Sequence, residues 1–284
     1  MSDSVRASLL IIGDEILSGR TQDANLSYLA NWLNEVGIQL AEVRVVPDVE
    51  AEIVEAVNAL RAKFDYLFTT GGIGPTHDDI TAESMAAAFG VPVIKHPEAY
   101  KRMLEYYGED KFTEARQRMT RVPEGAELID NPVSIAPGIR MENVFIMAGV
   151  PKIMQSMLEG IRPHLKTGRK VWTQAMTVHA PESKIAEELG DIQTANADTS
   201  IGSYPFYHTG KVGAQIVIRS ADKTAITKAM DEVQVLCFAK RFETEEPRFC
   251  CRSTVPGAQD AASQLLRGSL ALHRGLGRQG PQQT

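Results

Sequence analysis

The first seventy residues alternate between apolar runs and helical repeats, and this alternation constrains the fold more than any other feature. Ala7-Ser8-Leu9-Leu10-Ile11-Ile12 is an apolar run closed by Gly13, the pattern of a strand buried on both faces. Leu26, Leu29, Ala30, Leu33 and Val36 recur at helical spacing, with Asp23 and Asn25 near the helix start and Gly37 at its end. Residues 38–46 read as a second strand, and Ile53, Val54, Val57 and Leu60 place a helix over 50–61. Asp65 to Thr70 is a third strand, delivered straight into Gly71. Strand, helix, strand, helix, strand predicts a parallel α/β sheet with right-handed crossovers. Ligands of such sheets bind beyond the carboxyl ends of the strands, where Gly13 and Gly71 both fall.

Further along, Thr81 to Phe89 predicts a helix, as do residues 97–107 and 113–120, and Val144 to Met147 another buried strand. A closing helix over 152–165 completes a first domain, residues 1–167. From residue 168 to 240 the pattern becomes β-α-β-β-α: a strand over 171–178, a helix over 182–190, strands over 199–207 and 212–219, and a helix over 222–235. A unit of that length can bury its own small α+β core against an antiparallel sheet. Residues 241–284 carry six arginines and no lysine, whereas the preceding 240 residues carry twelve lysines. With its aperiodic Gly/Gln-rich end, this stretch reads as a disordered or atypical tail.

Composition removes several function classes. A net charge of −6 lacks the basic footprint that a nucleic-acid backbone demands, so no nucleic acid is expected as partner. No stretch approaches the ~20 apolar residues of a membrane span, and the N-terminus has no signal-peptide core, so no membrane is expected either. The three cysteines, Cys237, Cys250 and Cys251, have no zinc spacing, and their odd number suits a reducing, cytoplasmic setting. Apart from His77, the six histidines lack partners at ligand spacing, and no serine or cysteine nucleophile constellation is present.

The chemistry concentrates in Gly71-Gly72-Ile73-Gly74-Pro75-Thr76-His77-Asp78-Asp79-Ile80-Thr81. Gly71, Gly72 and Gly74 let the backbone approach a ligand, and successive N–H groups there form an anion nest ahead of a helix N-terminus. Asp78 and Asp79 admit two readings. Thr76 to Asp79 has capping-box spacing, and acids in a first turn complement the helix dipole. Alternatively, two carboxylates beside a phosphate cradle call for a divalent cation, commonly held by one or two carboxylates plus ligand phosphates. Asp14 and Glu15 after the first strand, and Asp48 after the second, reach the same sheet edge, although each singly reads as a turn or cap residue. Asp79, Asp48 and Asp14 are therefore the expected metal ligands and catalytic acids, with Mg²⁺ or Co²⁺ as the ion. Asn131 to Gly138 supplies small, rigid residues suited to a ligand wall, among them Ser134 and Pro137. Gly149 and Pro151 form a strand-to-helix turn with Pro at the helix start.

Gly13 to Gly19, Asn25, Asp48, Gly71 to Thr81, Asn131 to Gly138 and Gly149 to Pro151 together resemble the MoaB/Mog-type molybdopterin-binding domain. Within that group they resemble the N-terminal part of the CinA (competence/damage-inducible) family. Ile201 to Pro205 looks like the small domain that follows in CinA-like proteins and in eukaryotic FAD synthases. The resemblance implies a three-layer sandwich with a mostly parallel sheet, followed by the small α+β domain. It also implies metal-dependent hydrolysis of a dinucleotide pyrophosphate such as ADP-ribose or FAD, or alternatively molybdopterin binding and adenylyl transfer. A non-catalytic nucleotide sensor is a third reading. Gly13, Glu15, Asn25, Gly71, Gly72, Gly74, Thr76, Asp78, Thr81, Ser134, Pro137, Gly138, Gly149 and Pro151 are the substrate-binding residues it implies. A nucleotide or pterin phosphate is the expected small-molecule partner, and a homo-oligomer the expected assembly. Asp78 and Ile73 depart from molybdopterin adenylyltransferases, which usually carry Arg and Thr there. The deamidase domain of long CinA proteins is not visible, which sets nicotinamide-nucleotide deamidation aside.

Overall fold

The computed structural model describes residues 5–208 and 211–250, and the chain divides into two compact units between Val171 and Trp172. The first unit runs β1 (Val5–Ile12), α1 (Asp14–Leu17), α2 (Asn25–Glu35), β2 (Ile38–Val46), α3 (Glu50–Lys63), β3 (Tyr66–Thr70) and α4 (Thr81–Phe89). It continues through β4 (Val93–Lys95), α5 (Pro97–Tyr107), α6 (Glu114–Arg118), β5 (Arg121–Pro123), β6 (Glu127–Ile129), β7 (Gly138–Met141), β8 (Val144–Met147) and α7 (Pro151–Ile161).

Its main sheet has six strands in the order β2-β1-β3-β8-β7-β6. β2, β1, β3 and β8 are parallel, as the alternation of strand and helix requires, while β7 and β6 continue the sheet antiparallel. Side chains alternate across a strand, so one apolar run feeds two cores. Leu9 and Ile11 of β1 meet Leu29 and Leu33 of α2 and Met157 and Leu158 of α7. Leu10 and Ile12 meet Ile53, Val57 and Leu60 of α3 and Met85 of α4. This produces the expected three layers. β4 and β5 form a separate two-stranded sheet.

β6 and β7 are not announced by the sequence. Each is only three or four residues long, too short to show a period. Gly138, read as part of a ligand wall, opens β7 instead and is buried. A Cβ there would lie 2.9 Å from the Ile146 carbonyl oxygen and 3.2 Å from the Met157 Sδ, so packing accounts for the glycine.

The second unit runs β9 (Trp172–Val178), α8 (Ala186–Ala195), β10 (Ser200–His208), β11 (Lys211–Ser220), α9 (Lys223–Ala239) and β12 (Arg248–Cys250). Its four strands pair antiparallel in the order β10-β11-β9-β12. Met176, Val178, Ile216 and Ile218 pack against Leu189 of α8 and Ile226, Met230 and Val233 of α9. The tail expected from residue 241 begins inside this unit, because Phe242 packs against that core and β12 hydrogen-bonds to β9. The rest of that stretch, 251–284, lies outside the described residues. Among the described residues no helix is long and apolar enough to cross a membrane.

Candidate functional site

β3 delivers the chain into the glycine loop at the carboxyl edge of the parallel strands, beside the ends of β1 and β8. The Gly71 N–H donates to the Met147 carbonyl at 3.1 Å, which anchors the loop to β8. Gly71 and Gly72 have φ of 106° and 66°, a region that L side chains rarely enter. A Cβ on Gly71 would lie 2.1 Å from the Ile12 carbonyl oxygen, and one on Gly72 2.2 Å from the Thr81 Oγ1. Thr81, fully buried, closes the loop twice: its N–H donates to the Gly72 carbonyl and its hydroxyl to the Gly71 carbonyl, both at 3.0 Å. Thr81 is thus a buried brace of the loop.

Helix α4 begins at Thr81, after both aspartates, so neither Asp78 nor Asp79 fills its first turn. The capping-box spacing is used within the loop instead. Asp79 Oδ2 accepts from the Thr76 N–H at 2.8 Å and also from the Thr76 hydroxyl. A Cβ on Gly74 would lie 2.6 Å from the same carboxylate oxygen, so the loop wraps around Asp79. Asp78 is exposed, and the Thr76 hydroxyl, its own backbone and nearby His77 and Arg20 hold its carboxyl below the ordinary range.

The other acids gather on the β1–β2 side. Asp48 Oδ2 accepts from the Asp14 N–H at 3.0 Å, and Asp14 and Glu15 both lie in α1. Burial raises the Asp48 carboxyl above the usual range; the Asp14 N–H opposes this, while the charges of Asp14, Glu15 and Asp78 add to it. Asp78, rather than Asp79, is therefore the loop acid whose field reaches Asp48. The expected trio separates into Asp14 with Asp48 and Asp79 with Thr76. Among the described residues no group of three or more His, Cys, Asp or Glu could by itself hold a metal ion.

A cavity of about 70 Å³ opens beside the loop, lined by Glu15, Asn25, Thr70, Gly71, Gly149 and Pro151 among others. Asn25 is 4% exposed and its Nδ2 donates to the Gly149 carbonyl at 2.7 Å, which fixes the amide and leaves its Oδ1 with no hydrogen-bond partner. The Thr70 hydroxyl, 1% exposed, has none either. Leaving a buried polar atom unpaired costs about 1–3 kcal/mol, so two such atoms on one cavity are a ligand-ready wall. Thr70 was not among the expected site residues. Its signal was a polar residue at the carboxyl end of an otherwise apolar strand.

A second, narrower cleft of about 20 Å³ lies against Gly72, Ile73, Gly74, Asp79, Arg118 and Pro137. Pro137 is the one expected wall residue there. Ser134 belongs to a turn built by buried Asn131, whose Oδ1 accepts from the Val133 and Ser134 N–H groups and whose Nδ2 donates to the Ser134 hydroxyl. Arg118 and Arg121 carried no local signal, since only the packing of residues 118–121 against the loop brings them to it.

The match to known proteins covers both units. Residues 8–167 match the family model described as a probable molybdopterin binding domain, and residues 170–244 match that of the FAD synthase middle domain. A protein of Archaeoglobus fulgidus is 34% identical over 234 residues, 82% of this chain and 98% of that one. A CinA-like protein of Fervidobacterium nodosum is 32% identical over 214 residues, 72% of this chain and 52% of its own length. The crystal structure of the CinA protein of Thermoplasma acidophilum superposes with a TM-score of 0.54 at 33% identity, covering 57% of this chain and 99% of that one. The chain belongs to the molybdopterin-binding domain family, in its CinA-like form with a FAD-synthase-type middle domain behind it.

Proposed function

We propose that the first unit is a metal-dependent nucleotide pyrophosphatase acting on a dinucleotide such as ADP-ribose or FAD. The observation that carries this reading is the cavity at the strand ends, where the unpaired Asn25 Oδ1 and Thr70 Oγ1 adjoin a glycine loop and an acidic edge. The loop N–H groups bind phosphate oxygens, and Asn25 and Thr70 hydrogen-bond donors of the nucleotide. Asp14 and Asp48 fit a divalent ion only as one or two ligands, with water and substrate phosphates completing its shell. Such an ion, when bound, polarises a phosphoryl oxygen and lowers the pKa of water. Asp48, fixed by the Asp14 N–H, would hold that ion with Asp14, and the attacking water gives its proton to solvent. Water replaces the bridging oxygen at one phosphorus, so ADP-ribose gives AMP and ribose 5-phosphate.

The matched family model favours a second reading, binding of molybdopterin, whose enzymatic form would be its adenylation. Incubation with ADP-ribose and FAD, with Mg²⁺ or Co²⁺, separates the two. AMP release is expected, together with a fall of orders of magnitude in kcat for Asp48→Asn. Absence of AMP with every metal would reject hydrolysis, and molybdopterin adenylation without it would establish the second reading. Ligand-dependent melting with no product would instead mark a nucleotide sensor.

A further inference from the structure

The acidic edge poses a problem for any phosphorylated ligand of this loop. Asp14, Glu15, Asp48 and Asp78 all bear on one region, and their field repels phosphate. A cation supplied by the chain itself lines the cleft against the loop. Arg118 ends α6 and lines the same cleft as Gly72, Ile73, Gly74, Asp79 and Pro137. Its Nε is buried and has no hydrogen-bond partner. The carboxylates nearest to hand are already engaged: Asp79 with Thr76, and Glu83 with Arg121 at 2.6 Å. An arginine donor withdrawn from water and left without an acceptor is costly, and the natural acceptor for a planar guanidinium is a phosphate or carboxylate.

We propose that Arg118 is an anion-binding residue of this site, donating to an oxygen of the phosphate group that the Gly71–Gly74 loop holds. This rests on the reading of that loop as a phosphate cradle. The cleft, at about 20 Å³, has room for a single oxygen atom and none for a ring, which suits the edge of a phosphoryl group. Arg118 thereby supplies a share of the anion affinity that needs no metal. The ligand is polarised across the loop, with its phosphate toward Arg118 and its metal-binding side toward Asp14 and Asp48.

Calorimetric titration of the full chain with inorganic pyrophosphate, in chelator and in Mg²⁺, tests this. Wild type binds in chelator, and Mg²⁺ tightens binding further. Arg118→Gln weakens the chelator-phase affinity about tenfold or more, as expected for loss of a charge-assisted bond. Arg118→Lys, which keeps the charge but lacks the Nε donor, recovers part of it. Arg140→Gln, a control whose arginine pairs with Glu127, changes nothing. Melting curves guard against misfolding: both Arg118 variants melt no lower than wild type, because each removes a buried unpaired donor. Equal affinity in wild type and both Arg118 variants overturns the proposal, as does absence of pyrophosphate binding by the wild type in either condition. If Arg118-dependent binding is found without AMP release from dinucleotides, hydrolysis fails and the anion site stands.

Discussion

The carboxylate of Asp48 accepts the backbone N–H of Asp14 at 3.0 Å, across the edge where β1 and β2 both end. This bond holds α1 against the end of β2 and places there an acid whose pKa is raised by burial, with the charges of Asp14, Glu15 and Asp78 adding to it. Structure and charge are in conflict at that residue, and the conflict can be measured.

Asp48→Asn keeps an oxygen for the Asp14 N–H and removes the charge. A carboxyl raised in the fold contributes stability that is fully present below its unfolded value, near 3.8, and is lost as pH rises through the higher folded value. At pH 7 the ionised Asp48 is therefore a destabilising charge. The variant should melt roughly 1–3 °C higher than wild type at pH 7. The gain should vanish as pH falls below about 4. Calorimetric melting at several pH values checks this, and a lower Tm at pH 7 would contradict it. Mg²⁺ should raise the wild-type Tm and the variant's less, with activity lost in the variant.

Gly72→Ala forces a methyl group to within 2.2 Å of the Thr81 hydroxyl at a φ of 66°. The cost should be about 1–3 kcal/mol, the range for a residue held in a sparsely populated region. Chemical denaturation should show it as a lower midpoint with an unchanged slope. Thr81→Val, which removes the hydroxyl, should relieve part of the clash in the double variant. Strict additivity of the two changes would show that they do not act on each other.

Asn25→Ala removes the 2.7 Å bond to the Gly149 carbonyl and one of the two unpaired oxygens of the cavity. Stability should fall by about 1–2 kcal/mol, from the orphaned carbonyl. Nucleotide affinity should fall about tenfold. Thr70→Val, nearly isosteric, should cost affinity alone. Equilibrium dialysis with ADP-ribose distinguishes the two, and unchanged affinity in both variants would mean that the cavity is not a ligand wall.

Cys237 is 1% exposed and burial pushes its thiol up. Iodoacetamide should leave it unmodified in the native protein at pH 7.5 and modify it on unfolding, as site-resolved mass spectrometry would report. Modification in the native state would show local opening of α9.

The sequence by itself determined the parallel core and the place of the glycine loop at its carboxyl edge. The apolar runs from Ala7 to Ile12 and Val144 to Met147, with helices between strands, leave few other ways to bury both faces of a sheet. Gly71 and Gly72 mark where the chain must turn in conformations that L side chains avoid. These are local facts, legible from spacing and residue type. The tertiary structure decided what spacing cannot express: which acids face each other, and what lines the cleft against the loop. Asp79, grouped with Asp14 and Asp48 by residue type, turns to Thr76 because a three-residue separation closes a local hydrogen bond at small entropic cost. Gly138 opens a three-residue pairing with β6, and its missing side chain answers to Met157, distant in sequence. Arg118 reaches Gly72 only because residues 118–121 pack beside the loop, and no local pattern carries a contact across some 46 residues.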